Sequence, residues 1–136
     1  MSRGFTLIEL VIALVIIAII AAFALPYYQE MVRKSRRNDA VLMMAKIQLA
    51  EEKWRVNNNS YSNALSAMGF NLAGDAIKTK HGYYNILIKS PTATSYRITA
   101  TAIKGSSQAL DQGCTTLVMT ISNKQTTHSP PACWPK

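Results

Sequence analysis

An apolar stretch near the amino end constrains this 136-residue chain more than any other feature. All 21 residues from position 5 to position 25 are apolar except Thr6 and Glu9. With about 1.5 Å of rise per residue, a helix over this stretch measures about 31 Å, which is enough to cross the hydrocarbon core of a bilayer. The stretch therefore predicts a membrane-spanning helix.

Two features separate this stretch from a secretory signal peptide and from a plain anchor. A signal peptide carries its cleavage site after the apolar core, whereas here Arg3 and Gly4 precede the core. Glu9 places a carboxylate near one end of the spanning helix, where an acidic residue is costly and is seldom kept without a partner. The alternative is a single-pass anchor in which Glu9 lies close enough to the interface to stay hydrated.

Residues 3–10 read Arg-Gly-Phe-Thr-Leu-Ile-Glu-Leu and resemble the class III leader junction of type IV pilins. This resemblance implies cleavage between Gly4 and Phe5, with Phe5 as the N-methylated first residue of the mature protein. It also implies that Glu9 pairs with the amino terminus of a neighbouring subunit during filament assembly. Such a pair is physically reasonable, because a buried ammonium and a buried carboxylate offset each other's desolvation.

The same resemblance implies where the protein resides and what it contacts. The partners are a prepilin peptidase, the pilus assembly platform, the inner membrane and other pilin subunits. The subunit is expected to wait in the inner membrane, single-pass, with its carboxyl-terminal domain in the periplasm. After assembly it is expected in the extracellular filament.

Four segments are predicted along the chain. Residues 1–4 form the leader, 5–25 the transmembrane helix, 26–57 an amphipathic helix that continues it, and 58–136 a loop, a sheet and a disulfide-closed tail. Pro26 removes a backbone donor, so we expect the helix to kink or loosen there. An apolar stripe at alternating spacings of three and four predicts the face that packs on the core, and it contains Ala40, Met43, Ile47, Ala50 and Trp54.

Alternation of apolar and polar residues predicts strands at 83–89, 96–104 and 115–122. Hairpin-like spacing joins them into a small antiparallel sheet of three to four strands. The long helix covers one face of the sheet, which gives an α+β protein with a pilin fold. The tail over residues 123–136 contains three prolines and is expected to be irregular and to protect one edge of the sheet.

The full order of segments resembles a type IVa pilin. Residues 82–85 (Gly-Tyr-Tyr-Asn), residues 114–120 and the closing Cys133-Trp134 pair resemble small PilE-like minor pilins more closely. This resemblance implies a minor pilin that assembles into or primes the pilus and supports adhesion, twitching motility or DNA uptake. A pilin-like DNA receptor for natural transformation is one alternative. A type II secretion pseudopilin is weaker, because Asp75 and Asp111 are too few acids for a calcium cage.

The formal net charge of +8 makes a polyanion such as DNA a candidate partner. Beyond position 25 the chain has 14 Lys or Arg residues and six acidic residues. Lysines neutralise phosphates and an exposed aromatic ring can stack on a base, so the candidate DNA-binding residues are Lys78, Lys80, Lys104, Lys124, Trp134 and Lys136. The alternative is a solvated positive surface that serves solubility or subunit docking.

Cys114 and Cys133 are the only cysteines, and an even count in an exported domain favours a disulfide over two free thiols. Neither His81 nor His128 has the paired spacing with cysteine that zinc sites show. The chain also lacks a nucleophile with a base and a glycine-rich phosphate loop. No metal site, cofactor or catalytic residue is therefore predicted, and the protein is not expected to be an enzyme.

Overall fold

The computed structural model describes residues 5–135 of the chain. Gly4, which forms half of the predicted cleavage junction, lies outside the described residues together with the rest of the leader, and so does Lys136. The chain divides into two compact units, Met1–Val32 and Arg33–Lys136.

Helix α1 runs from Leu7 to Asn57, a length of 51 residues. Thr6 precedes its first turn, and the Thr6 hydroxyl oxygen accepts a hydrogen bond from the Glu9 backbone N–H at 3.3 Å, as an N-cap residue does. Pro26 lies inside the helix, which does not end there. By length and composition α1 is apolar enough to cross a membrane, with a mean hydropathy of 3.1 in its most apolar part.

In the second unit, α1 buries a face that is rotated slightly from the predicted one. Met44 is fully buried where the apolar stripe predicted Met43, and Glu51 is fully buried beside Ala50. The prediction avoided Glu51 because it is charged, but the Ser62 backbone N–H donates to its Oε2 atom at 3.0 Å. A buried acid can thus lie on the core side where the backbone supplies a donor.

Five antiparallel strands form one sheet in chain order, one strand more than the largest number predicted. The strands are β1 (Ile77–Lys78), β2 (Tyr84–Lys89), β3 (Ser95–Ala102), β4 (Thr116–Ser122) and β5 (Gln125–Ser129). The expectation of an irregular tail is wrong for its first part, which forms β5. The residues of β5, Gln-Thr-Thr-His-Ser, lack apolar alternation, and the tight turn after Ser122 sets their register on β4.

Alternate residues of the sheet point to one core with the buried face of α1. The fully buried residues of the sheet are aliphatic or aromatic. The ring of Tyr96, on β3, packs against the ring of Tyr61, which precedes the sheet, with the two centroids 4.5 Å apart. The principal core residues are Ala40, Met44, Ile47, Ile86, Ile98, Leu117 and Ile121. The sheet is thereby left with one buried face and one outward face.

A buried ion pair and a disulfide hold parts of this unit together that are distant in the sequence. Arg37, on α1, donates to both carboxylate oxygens of Asp111 at 2.6 Å each, and both side chains are buried. The predicted disulfide is confirmed: Cys114 and Cys133 are joined, with their Cα atoms 5.6 Å apart. The bridge ties the tail to the segment that leads into β4.

Glu51 is expected to make stability depend on pH. Burial raises the pKa of Glu51, the Ser62 N–H lowers it, and neighbouring Glu52 raises it, with a net upward shift from 4.5. A raised pKa in the folded state means that stability falls as pH rises through the window above 4.5. Glu51→Gln should therefore raise the free energy of unfolding near pH 7 by about 1–3 kcal/mol, because the neutral amide avoids the desolvation penalty of a buried carboxylate.

Denaturation of the Glu51→Gln protein at pH 7 and at pH 4 measures this effect. The gain should shrink towards pH 4, where wild-type Glu51 is itself protonated. Asp75→Asn is the control, because Asp75 is exposed and does not contribute to the pKa shift of Glu51. A gain for Glu51→Gln that is the same at both pH values would contradict the prediction.

Candidate nucleic-acid interface

The predicted DNA-binding residues do not form one site in the structure. Lys78, Lys80 and Lys104 come together near the turn between β1 and β2, and we call them the basic turn cluster. Lys124 lies in the turn between β4 and β5, at the other end of the sheet. Seven residues of β4, about 20 Å at the usual strand rise, separate the two ends.

The basic turn cluster is built around Gly82. The Gly82 N–H donates to the Thr79 carbonyl at 2.8 Å, and Gly82 has a φ of 71°, which favours glycine. The Lys78 Cε atom lies 3.3 Å from where a Cβ on Gly82 would stand. Lys104 follows Ile103, whose N–H donates to the Tyr83 carbonyl at 2.9 Å, so Lys104 is brought beside the same turn.

Asp39 on α1 holds this turn in place. Its Oδ2 atom lies 3.3 Å from the His81 backbone nitrogen and 3.3 Å from the His81 Nδ1 atom. Inside the turn, the buried Thr79 hydroxyl oxygen accepts hydrogen bonds from the backbone N–H groups of Tyr83 and Tyr84, each at 3.2 Å. The cluster therefore presents its cations on a fixed backbone.

The structure adds two cations that the sequence reasoning missed, Lys89 and Arg97. They are paired across β2 and β3, and both are exposed. The signal was present in the sequence, because Ile88 and Tyr96 point inward and strand alternation turns the next residue outward. The predicted set took its cations from the connecting segments, the end of one predicted strand and the tail, and it left out these two.

The outward residues of the sheet form what we call the outer face. They are polar or basic with few exceptions, and the principal ones are Lys78, Asn85, Lys89, Arg97, Thr99, Thr101, Thr120 and Thr127. None of the residues in the five strands is acidic. After Asn57 the chain has two acids, Asp75 and Asp111, and Asp111 is buried against Arg37. The positive charge of the outer face is thus not neutralised within the sheet.

Trp134 is less available than predicted for stacking on a base. It is half-buried, its ring centroid lies 4.2 Å from that of His128, and its indole N–H donates to the Ser129 carbonyl at 3.4 Å. One face of the ring is therefore occupied by the imidazole. Within residues 5–135 there is no cluster of three His, Cys, Asp or Glu side chains that could hold a metal ion.

The residues proposed for processing and assembly lie in the first unit. Phe5 is 82% exposed, and Glu9 is exposed in the first turn of α1. The pairing of Glu9 with the amino terminus of a neighbouring subunit stays a prediction.

Two family matches together span residues 1–118 of the chain. Residues 1–25 match the prokaryotic N-terminal methylation motif. Residues 26–118 match the family described as type IV minor pilin ComP, DNA uptake sequence receptor. These matches cover the helix, the first unit, and the second unit up to the third residue of β4.

Individual relatives are pilus proteins. The chain is 37% identical over 101 residues to the fimbrial protein EcpC of Eikenella corrodens, covering 74% of the chain and 62% of that protein. It is 37% identical over 67 residues to the type IV major pilin protein PilE1 of Neisseria gonorrhoeae, covering 44% of the chain and 41% of that protein. The chain therefore spans about half the length of these relatives.

Proposed function

Because the chain belongs to the type IV minor pilin family of ComP, we propose that it is a pilus subunit that binds DNA through the outer face of its sheet. The family is one of structural subunits, and we assign no catalytic residue. The observation that carries the DNA-binding role is the run of exposed cations on strands that contain no acid. The pseudopilin alternative receives no support from the matched family.

Assembly into a pilus with other pilin subunits follows from the family. For this chain we propose cleavage between Gly4 and Phe5 by a prepilin peptidase, with methylation of Phe5. Glu9 would then pair with the amino terminus of a neighbour as the assembly platform adds the subunit. Before that step the subunit would be held in the inner membrane by α1, with the sheet in the periplasm, and afterwards the sheet would be exposed on the filament.

The outer face has the dimensions and chemistry for contact with a phosphate backbone. Lys78 is paired with Asn85 at one end of β2, and Lys89 lies four residues further along the same strand, about 13 Å away. A duplex strand has one phosphate per about 3.4 Å of axis, so about four phosphates lie over this distance. Lysine and arginine side chains and threonine hydroxyl groups commonly donate hydrogen bonds to phosphate oxygens. Such contacts position DNA without reading its sequence.

A comparison of two charge-matched double variants tests this function. Replacing Lys89 and Arg97 by glutamine should weaken binding of the full chain, in nonionic detergent, to duplex DNA of any sequence. It should also reduce the slope of log affinity against log salt by up to about 1.8, because two phosphate contacts release fewer counterions. Gel-shift titrations at several salt concentrations measure both quantities.

The control double variant replaces Lys46 and Lys53, which are exposed on α1, by glutamine. It changes the net charge by the same amount on a different element. We expect a smaller loss of affinity and a smaller change of slope. Equal losses for the two double variants would mean that nonspecific attraction is the whole effect, and the outer face would then have no special role.

A further inference from the structure

A pocket of about 390 Å³ opens at the end of the sheet that is opposite the basic turn cluster. Four segments meet there: the last two turns of α1, the loop that follows α1, the turn between β2 and β3, and the turn between β4 and β5. Its polar lining consists of Glu52, Arg55, Tyr61, Thr94, Asn123 and Lys124. All of these residues belong to the second unit.

The turns at this end adopt left-handed backbone conformations without using glycine. Among the described residues, the non-glycine positions with positive φ are Ser90 at 53°, Asn123 at 49° and Lys124 at 67°, and all three lie at this end. At the opposite end, Gly82 and Gly105 fill the corresponding positions. Glycine adopts such angles without steric cost and asparagine tolerates them, whereas lysine does so unfavourably. Lys124 therefore lies at a position whose backbone conformation glycine would adopt at lower steric cost.

Lys124 occupies the second position of the two-residue turn between β4 and β5, where glycine is strongly preferred. Its side chain is exposed and makes no hydrogen bond or ion pair with any residue in the described part of the chain. It thus contributes no polar contact to the described part of the fold. Backbone strain of this kind is concentrated at ligand-binding sites, where a side chain is needed for function.

The other side of the pocket supplies a second, preorganised cation. Arg55 donates from Nε to the Ala93 carbonyl at 3.1 Å and from Nη1 to the Asn58 carbonyl at 2.6 Å. These two bonds fix the guanidinium group and leave its Nη2 atom for a ligand. The Thr94 hydroxyl and the Asn123 amide add neutral donors.

Glu52 also lines the pocket, but its charge is outnumbered. Its carboxylate accepts a hydrogen bond from the Tyr61 hydroxyl at 3.1 Å, which directs it towards that ring. Arg55 and Lys124 leave a net positive charge in the pocket. A guanidinium fork, an ammonium and two neutral donors are the groups that bind phosphate in proteins.

We propose that this pocket binds a phosphate group, held by Lys124 and Arg55, and that the phosphate belongs to a DNA backbone. This assignment of the source depends on the proposed function. Arg97 is paired with Thr120, two residues before the end of β4 at Ser122, so the outer face comes within about 7 Å of the turn that carries Lys124. A duplex that runs along the outer face and past the end of β4 can therefore reach Lys124, which stands at the edge of the pocket.

The test is the variant Lys124→Gly in the full chain, in nonionic detergent. It should raise the melting temperature, because glycine relieves the left-handed strain, and still weaken binding. Inorganic phosphate is the probe, followed by NMR shifts of the Thr94 and Asn123 amides. The dissociation constant should rise about tenfold or more, as expected for the loss of a charge-assisted hydrogen bond. Duplex DNA affinity should fall in the same variant.

Ser90→Gly is the matched control, since Ser90 also has a positive φ but does not line the pocket. It should raise the melting temperature and leave phosphate binding unchanged. Phosphate binding that is absent in the wild type, or unaffected by Lys124→Gly, would overturn the proposal. A lower melting temperature for Lys124→Gly would overturn the argument from strain.

The source of the phosphate is decided by the DNA measurements. If Lys124→Gly loses phosphate binding but keeps the wild-type affinity for DNA, the pocket takes free phosphate and the assignment to DNA is wrong. If the wild type binds phosphate through Lys124 but does not bind DNA at all, the proposed DNA-binding function fails while the phosphate site stands.

Discussion

Asp111→Ala should lower the free energy of unfolding of the second unit by about 3–5 kcal/mol, the usual result of removing one partner of a buried ion pair. The substitution deletes the carboxylate that accepts two hydrogen bonds from Arg37. It also deletes an acceptor for the fully buried Gln108 amide, whose nitrogen lies 3.0 Å from Asp111 Oδ2 and 3.0 Å from the Tyr84 hydroxyl. The segment around residues 107–111 would lose its main polar attachment to α1.

Urea denaturation followed by near-ultraviolet circular dichroism measures this loss. Asp75→Ala is the control, because Asp75 is an exposed acid and its removal should change the stability by less than about 0.5 kcal/mol. Replacing Arg37 and Asp111 together by methionine and leucine should cost much less than Asp111→Ala, since apolar groups of similar size need no partner. If Asp111→Ala has no greater effect than Asp75→Ala, the ion pair does not stabilise the fold.

Removing the disulfide should have an effect of similar size. Replacing Cys114 and Cys133 together by alanine should lower the free energy of unfolding by about 2–5 kcal/mol, as for native bridges in small exported domains. The physical reason is that the bridge closes a loop with a sequence separation of 19 residues and so restricts the unfolded chain. The last strand, β5, lies inside this loop and should be the first to lose protection against hydrogen exchange.

The control for this variant is the wild-type protein treated with a reductant under the same conditions. Reduction should reproduce the loss of stability, because it opens the same loop without changing a side chain in the core. If reduced and oxidised wild type unfold at the same urea concentration, the bridge has no stabilising role, and the effect of the alanine variant must come from packing.

The sequence was sufficient for the features that depend on strong periodicity. The apolar run that begins near Phe5 predicted the first part of α1, and alternation predicted β2, β3 and β4. It was insufficient for strands that have no pattern of apolar alternation. The strand β1 has only two residues, and β5 is polar and takes its register from the turn that precedes it. Glu51 was predicted to lie outside the core because it is charged. The sequence does not show that the Ser62 backbone N–H, eleven residues away, donates a hydrogen bond to its carboxylate.

The candidate interface was predicted only in part for a related reason. The sequence identifies cations, but their grouping depends on which ends of strands meet. Lys78, Lys80 and Lys104 share one end because β1, β2 and β3 are neighbours, and Lys124 is remote because β4 runs the length of the sheet. Arg97 lies between two buried residues and was not considered, although the same alternation that predicted its strand turns it outward.

The order of the sheet affects how the protein folds. Each strand pairs with the strand that precedes it along the chain, so no strand has to wait for a distant segment. Every pairing then closes a short loop, and topologies dominated by such local pairings fold fast for their size. With α1 already helical, the sheet can grow one strand at a time in the order in which a membrane-tethered chain emerges. At each step β1 forms one edge, and the newest strand is the other edge, open for the next pairing.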